Sequence, residues 1–278
     1  NSSLKMKIEF TDKSNLGTSL QTHPNHEVNL AISNPKLWNY DNPFLYTLKI
    51  ELFDENNDQT ADKVTSYFGM RKIWINKDRH GIPRIYLNNE PIFMHGLLDQ
   101  GYWPDGLYTA PTDEALQYDI KIAKELGFNT IRKHVKIEPN RWYYHCDRLG
   151  MLVWQDMPNG GKFDLLTCKL FSRGRRKKTV RQQFKKELQQ MIQNLYNHPS
   201  IVVWVPFNEG WGQFETKQIV QQIKNQDPYR LINAASGWFD KKVGHMKDIH
   251  KYPGPAMPKL ENSRVAVLGE FGGFGLKI

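Results

Sequence analysis

The chain has 278 residues, of which 39% are hydrophobic and 24% charged, a composition typical of a globular protein with one large or two modest domains. The longest apolar run, Ile201–Val205, is far shorter than the roughly 20 residues of a membrane-spanning helix, so no membrane partner is predicted. The two cysteines, Cys146 and Cys168, form neither a CxxC pair nor a zinc spacing. A disulfide-rich scaffold and a structural zinc site are thereby excluded.

The net charge of +9 comes from one segment. Residues 169–186 contain nine basic residues and no acidic residue, whereas the positive and negative charges balance over the rest of the chain. A nucleic-acid-binding protein more often spreads its basic residues over a face, beside a known module. We therefore predict no nucleic-acid partner and interpret the segment as a solvated loop that continues into an exposed helix face.

The first part of the chain, residues 1–76, has the pattern of β-structure. Apolar or alternating runs are separated by turn-rich stretches, at Leu4–Phe10, Val28–Ile32, Tyr46–Phe53 and Val64–Ile75. Several short strands at this spacing predict a small β-sandwich.

From residue 77 onward, strands alternate with helices. An Asn88-Asn89 turn inside a hairpin comes first. Four helices are then predicted: one from the cap Thr112 to Gly127, one between Pro139 and Gly150, one capped by Thr179 with Val180, Phe184, Leu188, Met191 and Leu195 on its apolar face, and one over 215–225. This alternation predicts a parallel α/β sheet.

Seven strands are predicted in this part, at 92–97, 128–135, 151–156, 201–208, 231–236, 248–252 and 265–270. No glycine-rich phosphate loop follows any of them, which argues against a nucleotide-binding sheet. A TIM (β/α)8-type barrel fits better, with its last strand and helix missing from the chain.

Two of these strands end in a glutamate. Glu209 follows Asn208 at the end of the fourth strand, and Glu270 lies at the end of the seventh. The carboxyl ends of barrel strands form one active face, and a buried carboxylate is costly unless it has a function or a partner. Two carboxyl groups at one mouth are what glycoside cleavage requires, one as acid and one as nucleophile.

Several motifs resemble glycoside hydrolase family 2, the family of β-galactosidases, β-glucuronidases and β-mannosidases. They cover nearly the whole chain, at Asn34–Trp38 with Pro43–Leu48, Phe68–Ile73, Leu126–His134, Asp147–Asp156 and Asn197–Glu209. The resemblance implies an immunoglobulin-like domain over 1–76 and a catalytic barrel over 77–278.

The resemblance also implies roles for individual residues. Glu209 would be the general acid/base, Glu270 the nucleophile, and Asn208 a hydrogen-bond partner of the sugar 2-OH. Arg132 would lie at the base of the site, and Tyr252 would donate a hydrogen bond to Glu270. Further substrate contacts are expected at His134, Asp99, Gln100, Asp156, Trp238 and His250.

The function implied is that of a retaining exo-β-glycosidase, first of all a β-galactosidase. Gln100 and Gly273 stand where family β-galactosidases often carry histidines, so β-glucuronidase, β-mannosidase and α-arabinofuranosidase specificities stay open. The basic segment has an alternative role here, since it would favour an anionic sugar. No metal or cofactor is predicted, and no targeting segment indicates a localisation.

A second class of function is open as well. A chain that cannot close its barrel would act at most as a carbohydrate-binding module, or would associate with copies of itself through the open sheet edge.

Overall fold

The computed structural model describes residues 4–11, 17–57, 59–160 and 177–273. Residues 169–176 of the basic segment, and Cys168, lie outside these residues. None of the described helices is long and apolar enough to cross a membrane.

The N-terminal part contains a four-stranded antiparallel sheet in the order β2-β1-β3-β4. Its strands are β1 (Leu4–Thr11), β2 (Gly17–Thr22), β3 (Tyr46–Asp54) and β4 (Gln59–Phe68). Phe10 and Phe44 contact the ring of Tyr46 edge-on, and Phe68 stacks against it. Packing of these rings gives the sheet a small aromatic core of its own.

The predicted strands of this part are only partly correct. Val28–Ile32 is irregular, although Leu30 and Ile32 pack against the aromatic core. The predicted run Val64–Ile75 is divided between β4 and the next strand, and β2 was not predicted. The apolar pattern reports which side chains are buried, whereas strand formation also requires a neighbouring backbone to pair with.

A hairpin sheet follows, formed by β5 (Ile73–Lys77), β6 (Pro83–Leu87) and β7 (Glu90–Ile92). The predicted tight turn between β6 and β7 is confirmed, because Asn88 and Asn89 have φ values of 52° and 72°, a conformation that asparagine tolerates. The predicted domain boundary between residues 76 and 77 falls within β5 and stays a prediction.

The remaining strands are parallel and occur at the seven predicted places. A five-stranded sheet contains β8 (Gly96–Asp99), β9 (Thr130–Lys133), β10 (Leu152–Asp156), β11 (Ile201–Val205) and β12 (Leu231–Ile232), and β13 (Met246–Lys251) pairs with β14 (Val265–Phe271). The first strand is displaced, to Gly96–Asp99 instead of 92–97, because Ile92 belongs to the hairpin. The fifth is shorter than the predicted 231–236, and the sixth begins at Met246 instead of 248. Every residue of β10 and β11 is buried, as expected for a parallel sheet covered on both faces.

Helices cover the outside of this sheet, at α1 (Asp113–Glu125), α2 (Asn140–Leu149), α3 (Lys178–Leu195) and α4 (Thr216–Gln226). Thr112 is confirmed as the cap of α1, since its hydroxyl accepts a hydrogen bond from the Ala115 amide at 3.1 Å. The prediction for α3 was wrong at its start. Thr179 lies inside this helix, which is preceded by Lys177, and Val180 is 44% exposed although it shares the face of buried Phe184.

Asp147 joins the N-terminal sheet to the barrel. Its fully buried carboxylate accepts hydrogen bonds from the Tyr67 hydroxyl at 2.7 Å and from the Ser200 amide at 2.9 Å, and lies 2.6 Å from His198 Nδ1. The indole of Trp38 donates to the Asp147 carbonyl at 2.7 Å. Burial and the neighbouring carboxylate raise the pKa of Tyr67, so its hydroxyl stays a donor.

Removing this carboxylate would leave several buried polar groups without their partner. We expect Asp147→Ala to lower the free energy of unfolding by about 3–5 kcal/mol, measured by urea denaturation. The exposed Asp62→Ala is the control and should change it by less than about 0.5 kcal/mol. Equal stability of the two variants would show that Asp147 does not hold the parts together.

His245 links the five-stranded sheet to the β13–β14 pair. Its Nδ1 accepts a hydrogen bond from the Ile232 amide at 2.9 Å, and its own amide donates to the Ile232 carbonyl at 2.8 Å. Burial, with Lys224 nearby, lowers the pKa of His245 from 6.5 to about 4. Only the unprotonated Nδ1 can accept the Ile232 bond, so the link requires neutral His245.

Acid should therefore weaken the fold through His245. Between pH 6.5 and about 4 the unfolded chain binds a proton at this residue and the folded chain does not, so the stability present above pH 6.5 is lost as the pH falls. In His245→Asn, whose side chain can accept but does not titrate, the decline in Tm over this window should be shallower. The exposed His23→Asn serves as control; an unchanged decline in His245→Asn would contradict the assignment.

Candidate active site

The carboxyl ends of the parallel strands surround a cleft of about 500 Å³. It is lined by Leu98, Gln100, His134, Val135, Asn159, Gly160, Asn208, Glu209, Trp211, Tyr252 and Glu270. Both predicted catalytic glutamates thus face the same space, together with the predicted residues Gln100, His134, Asn208 and Tyr252.

Arg132, at the base of the cleft, binds three of the other predicted residues. Its guanidinium donates to Asp156 at 3.0 and 2.9 Å, to Glu270 Oε1 at 2.8 Å and to Asn208 Oδ1 at 2.8 Å. Burial opposes the charge of this side chain, but Asp156 and Glu270 raise the pKa of Arg132 above its ordinary value. The base of the cleft therefore carries a fixed positive charge.

Glu270 is held at both carboxylate oxygens. Oε1 accepts from Arg132, and Oε2 accepts from the Tyr252 hydroxyl at 2.5 Å. Partial burial and this hydrogen bond raise the pKa of Tyr252, so the hydroxyl keeps its proton. Two donors, one in β9 and one directly after β13, fix one orientation of the carboxylate, with its charge directed into the cleft.

Glu209 lies on a strained turn directly after Asn208. It has a φ of 49°, followed by Gly210 at 74°, and its amide donates to the Ser236 carbonyl at 2.8 Å. A left-handed conformation is costly for a non-glycine residue and is common at functional sites. One carboxylate oxygen of Glu209 lies within 4.8 Å of one of Glu270.

His250 connects Glu209 to a buried polar chain. Its Nδ1 lies 3.0 Å from Glu209 Oε1, and its Nε2 lies 2.8 Å from the Ser236 hydroxyl, which is 2.6 Å from Asp248 Oδ2. A Cβ on Gly237 would come within 2.5 Å of the His250 ring, so this glycine allows the ring to lie here.

Ser236 and Asp248 were not singled out in the sequence. Both are buried, and burial raises the pKa of Asp248 although it accepts hydrogen bonds from Ser236 and Asn233. A signal was present in the strand, because Asp248 and His250 are two residues apart and therefore lie on the same face. The position of Ser236 gave no such signal.

Asn208, His134 and Gln100 form a line of amide and imidazole groups along one wall. Because Arg132 donates to Oδ1 of Asn208, its Nδ2 faces His134 Nε2 at 3.0 Å. The Gln100 amide lies 3.2 Å from His134 Nδ1. Burial, with the charge of Arg132 nearby, lowers the pKa of His134, so the ring is neutral at neutral pH.

Four predicted substrate contacts lie outside the lining of the cleft, namely Asp156, Asp99, Trp238 and His250, whose ring contacts Glu209 instead. Asp156 is fully buried, and both of its oxygens accept hydrogen bonds from Arg132. The Asp99 carboxylate faces Lys133 and the Gly101 amide instead of the cleft. Trp238 is 41% exposed beyond the end of the fifth barrel strand. The first two support neighbouring groups, because side chains whose oxygens are already engaged have little capacity left for a sugar.

Within the described residues, Glu209, His250 and Glu270 form the one group close enough to share a metal ion. A cation there would engage the two carboxylates and the histidine that already have hydrogen-bond partners in the protein. We therefore treat the group as paired acids and assign no metal to it.

Comparisons with known proteins show to which family the chain belongs. Residues 82–263 match the domain described as "Glycosyl hydrolases family 2, TIM barrel domain", and residues 2–71 match "Glycosyl hydrolases family 2". A β-galactosidase of Leuconostoc mesenteroides is 29% identical over 76% of the chain, and a putative β-glucuronidase of Formosa agariphila is 31% identical over 64%. The chain spans 19% of each of these two proteins.

Solved structures of similar fold include two β-glucuronidases. One from Parabacteroides merdae has a TM-score of 0.71 at 21% identity, covering 91% of the chain and 32% of that protein. An FMN-binding β-glucuronidase from Faecalibacterium prausnitzii has a TM-score of 0.74 at 23% identity, covering 91% of the chain and 39% of that protein. These similarities support the expected immunoglobulin-like domain followed by a TIM barrel. The chain belongs to glycosyl hydrolases family 2.

Proposed function

We propose that this chain carries the catalytic site of a retaining exo-β-glycosidase. The observation that carries the proposal is the pair Glu209 and Glu270, whose carboxylate oxygens approach within 4.8 Å across one cleft. Retaining glycosidases have carboxyl groups about 5–5.5 Å apart, whereas inverting enzymes leave about 6.5–9.5 Å for a water molecule.

The contacts of the two glutamates support different roles. Glu270, held between Arg132 and Tyr252, attacks the anomeric carbon as the nucleophile while Glu209 protonates the leaving oxygen, so one C–O bond forms as the other breaks. Glu209 then takes a proton from water, which attacks the anomeric carbon and releases Glu270. Asn208 lines the same cleft, in place to bind a hydroxyl of the sugar.

The sugar we propose first is a terminal β-galactoside. Among the described lining residues there is no lysine or arginine, and Arg132 lies below the lining with its donors already engaged. His134 adds no charge, since burial lowers its pKa. A neutral sugar suits this cleft better than a uronic acid, whose carboxylate would need a cation.

A β-glucuronidase is the second candidate, because two of the similar solved structures carry that name. A β-mannosidase or an α-arabinofuranosidase is compatible with the same two glutamates. A carbohydrate-binding module without turnover, or one that assembles into a homo-oligomer, is the alternative from another class.

Removing the proposed nucleophile should abolish hydrolysis. We expect Glu270→Gln to lower kcat/KM by about 10³-fold or more on whichever aryl glycoside the wild type cleaves, because the amide cannot form the glycosyl-enzyme. The panel contains the β-galactoside, β-glucoside, β-glucuronide and β-mannoside and the α-arabinofuranoside. The stereochemistry is followed by proton NMR, where a β-glycoside should first release the β-anomer.

Glu114→Gln, an exposed residue of α1, is the matched control and should keep wild-type activity. Hydrolysis retained in Glu270→Gln, or first release of the α-anomer from a β-glycoside, would contradict the proposal. Binding of the free sugar by a wild type that hydrolyses none of the substrates would favour the binding module.

The Ser236 hydroxyl should act on catalysis through His250 and Glu209. We expect Ser236→Ala to lower kcat/KM by about tenfold for a phenyl glycoside and by less for a dinitrophenyl glycoside, because a poor leaving group depends more on the proton from Glu209. Ser263→Ala, at an exposed position, is the control. Equal losses on the two substrates would indicate that Ser236 acts on folding or binding instead.

A further inference from the structure

Four charged side chains lie next to the loop that follows β8. The Lys133 ammonium lies 2.6 Å from Asp99 and 2.9 Å from Glu138, and the Lys136 ammonium lies 2.9 Å from the same Glu138 oxygen. Lys133, Lys136 and Glu138 are each less than 7% exposed. We call these four residues the ion cluster; its charges alternate and sum to zero.

Stabilisation of the fold does not by itself explain why these charged side chains are buried. Removing two or more charges from water costs several kcal/mol per ion, and apolar residues of similar volume often stabilise a protein as well or better. A buried ionic network is better explained where it fixes one conformation among several. The backbone groups to which the ion cluster is hydrogen-bonded therefore show which conformation it fixes.

The ion cluster holds the backbone of the loop at Gly101, directly after Gln100. Asp99 accepts from the Gly101 amide at 2.7 Å, and Lys136 donates to the Gly101 carbonyl at 2.6 Å. Gly101 has a φ of 66°, and a Cβ there would come within 2.7 Å of the Lys136 ammonium. The contact thus requires glycine and leaves the loop little freedom at this point.

Gln100 is the residue that this arrangement presents to the cleft. The Asn208 amide group donates to His134 Nε2, because the other end of that amide accepts from Arg132. A neutral ring with an accepting Nε2 carries its proton on Nδ1, which lies 3.2 Å from Gln100 Nε2, so that two donors face each other. The hydrogen-bond network therefore requires the Gln100 amide oxygen, and not its nitrogen, at this position.

We propose that Lys136 and Glu138 are positioning residues, which hold the loop so that Gln100 accepts the Nδ1 proton of His134 and fixes the imidazole against Asn208. Neither side chain lines the cleft. Their effect on hydrolysis rests on the proposed glycosidase function. Their effect on the His134 ring does not, because it follows from the hydrogen bonds alone.

The first test measures the ring directly. Imidazole ¹⁵N–¹H spectra would be recorded for wild type, Gln100→Ala, Lys136→Met and the double variant, with the His134 signals identified by their loss in His134→Gln. We expect the two single variants to displace these signals alike, and the double variant to add nothing, since both changes break one chain of contacts. Lys124→Met, which removes a lysine bound to the carbonyls of Tyr40 and Gly150, should leave them in place.

Unchanged His134 signals in Lys136→Met, or additive changes in the double variant, would overturn the proposal. Should Lys136→Met fail to fold, Glu138→Gln replaces it; this variant keeps an acceptor for Lys133 and removes the charge that faces Lys136. The same displacement of the His134 signals is then expected, and its absence has the same meaning.

The second test is kinetic. Gln100→Ala and Lys136→Met should lower kcat/KM for the cleaved glycoside by the same factor, about tenfold, and the double variant by no more, whereas Lys124→Met should not lower it. Loss of activity in proportion to the loss of Tm in all variants would show a merely structural role and overturn the proposal. A wild type without hydrolysis would contradict the glycosidase function, while the spectra would still test the positioning of His134.

Discussion

The guanidinium of Arg132 is the group on which the arrangement of the site depends. It contacts side chains from three other strands or strand ends, Asp156 at the end of β10, Asn208 after β11 and Glu270 in β14. A buried arginine needs several acceptors, and its planar donors fix where they lie. Because these acceptors come from parts of the chain far apart in sequence, one side chain aligns the barrel strands at their carboxyl ends and sets the orientation of the proposed nucleophile.

Two further polar networks extend from this centre. One runs from Glu209 through His250 and Ser236 to Asp248, and the other runs from Asn208 through His134 to Gln100. The first network begins at Glu209 in the cleft and ends at the buried Asp248. The second begins at Asn208 in the cleft and ends at Gln100, whose neighbour Gly101 is held by the ion cluster. Preorganised polar groups of this kind do not need to reorient when charge develops during a reaction, which is where a glycosidase gains most.

The predictions succeeded where a local pattern has one physical cause. The apolar runs of β10 and β11 gave buried parallel strands, and Thr112 with Asp113 gave the start of α1. They failed where a neighbour decides the outcome. Val28–Ile32 has the alternation of a strand but pairs with no strand among the described residues, and Val180 shares a buried face but stays exposed. Likewise, Asp99 and Asp156 lie at strand ends as sugar-binding residues would, yet cationic side chains already bind them.

The sequence by itself determined the family, the order of the barrel strands and the two glutamates at their ends. It did so because strand ends, turn residues and apolar runs are local, and because parallel strands bring their carboxyl ends to one face. Only the tertiary structure decided which polar side chains face the cleft and which support it from behind. The Ser236–Asp248 pair and the ion cluster arise from residues on different strands and loops, and hydrogen bonding over a few ångströms leaves no periodic trace in the sequence.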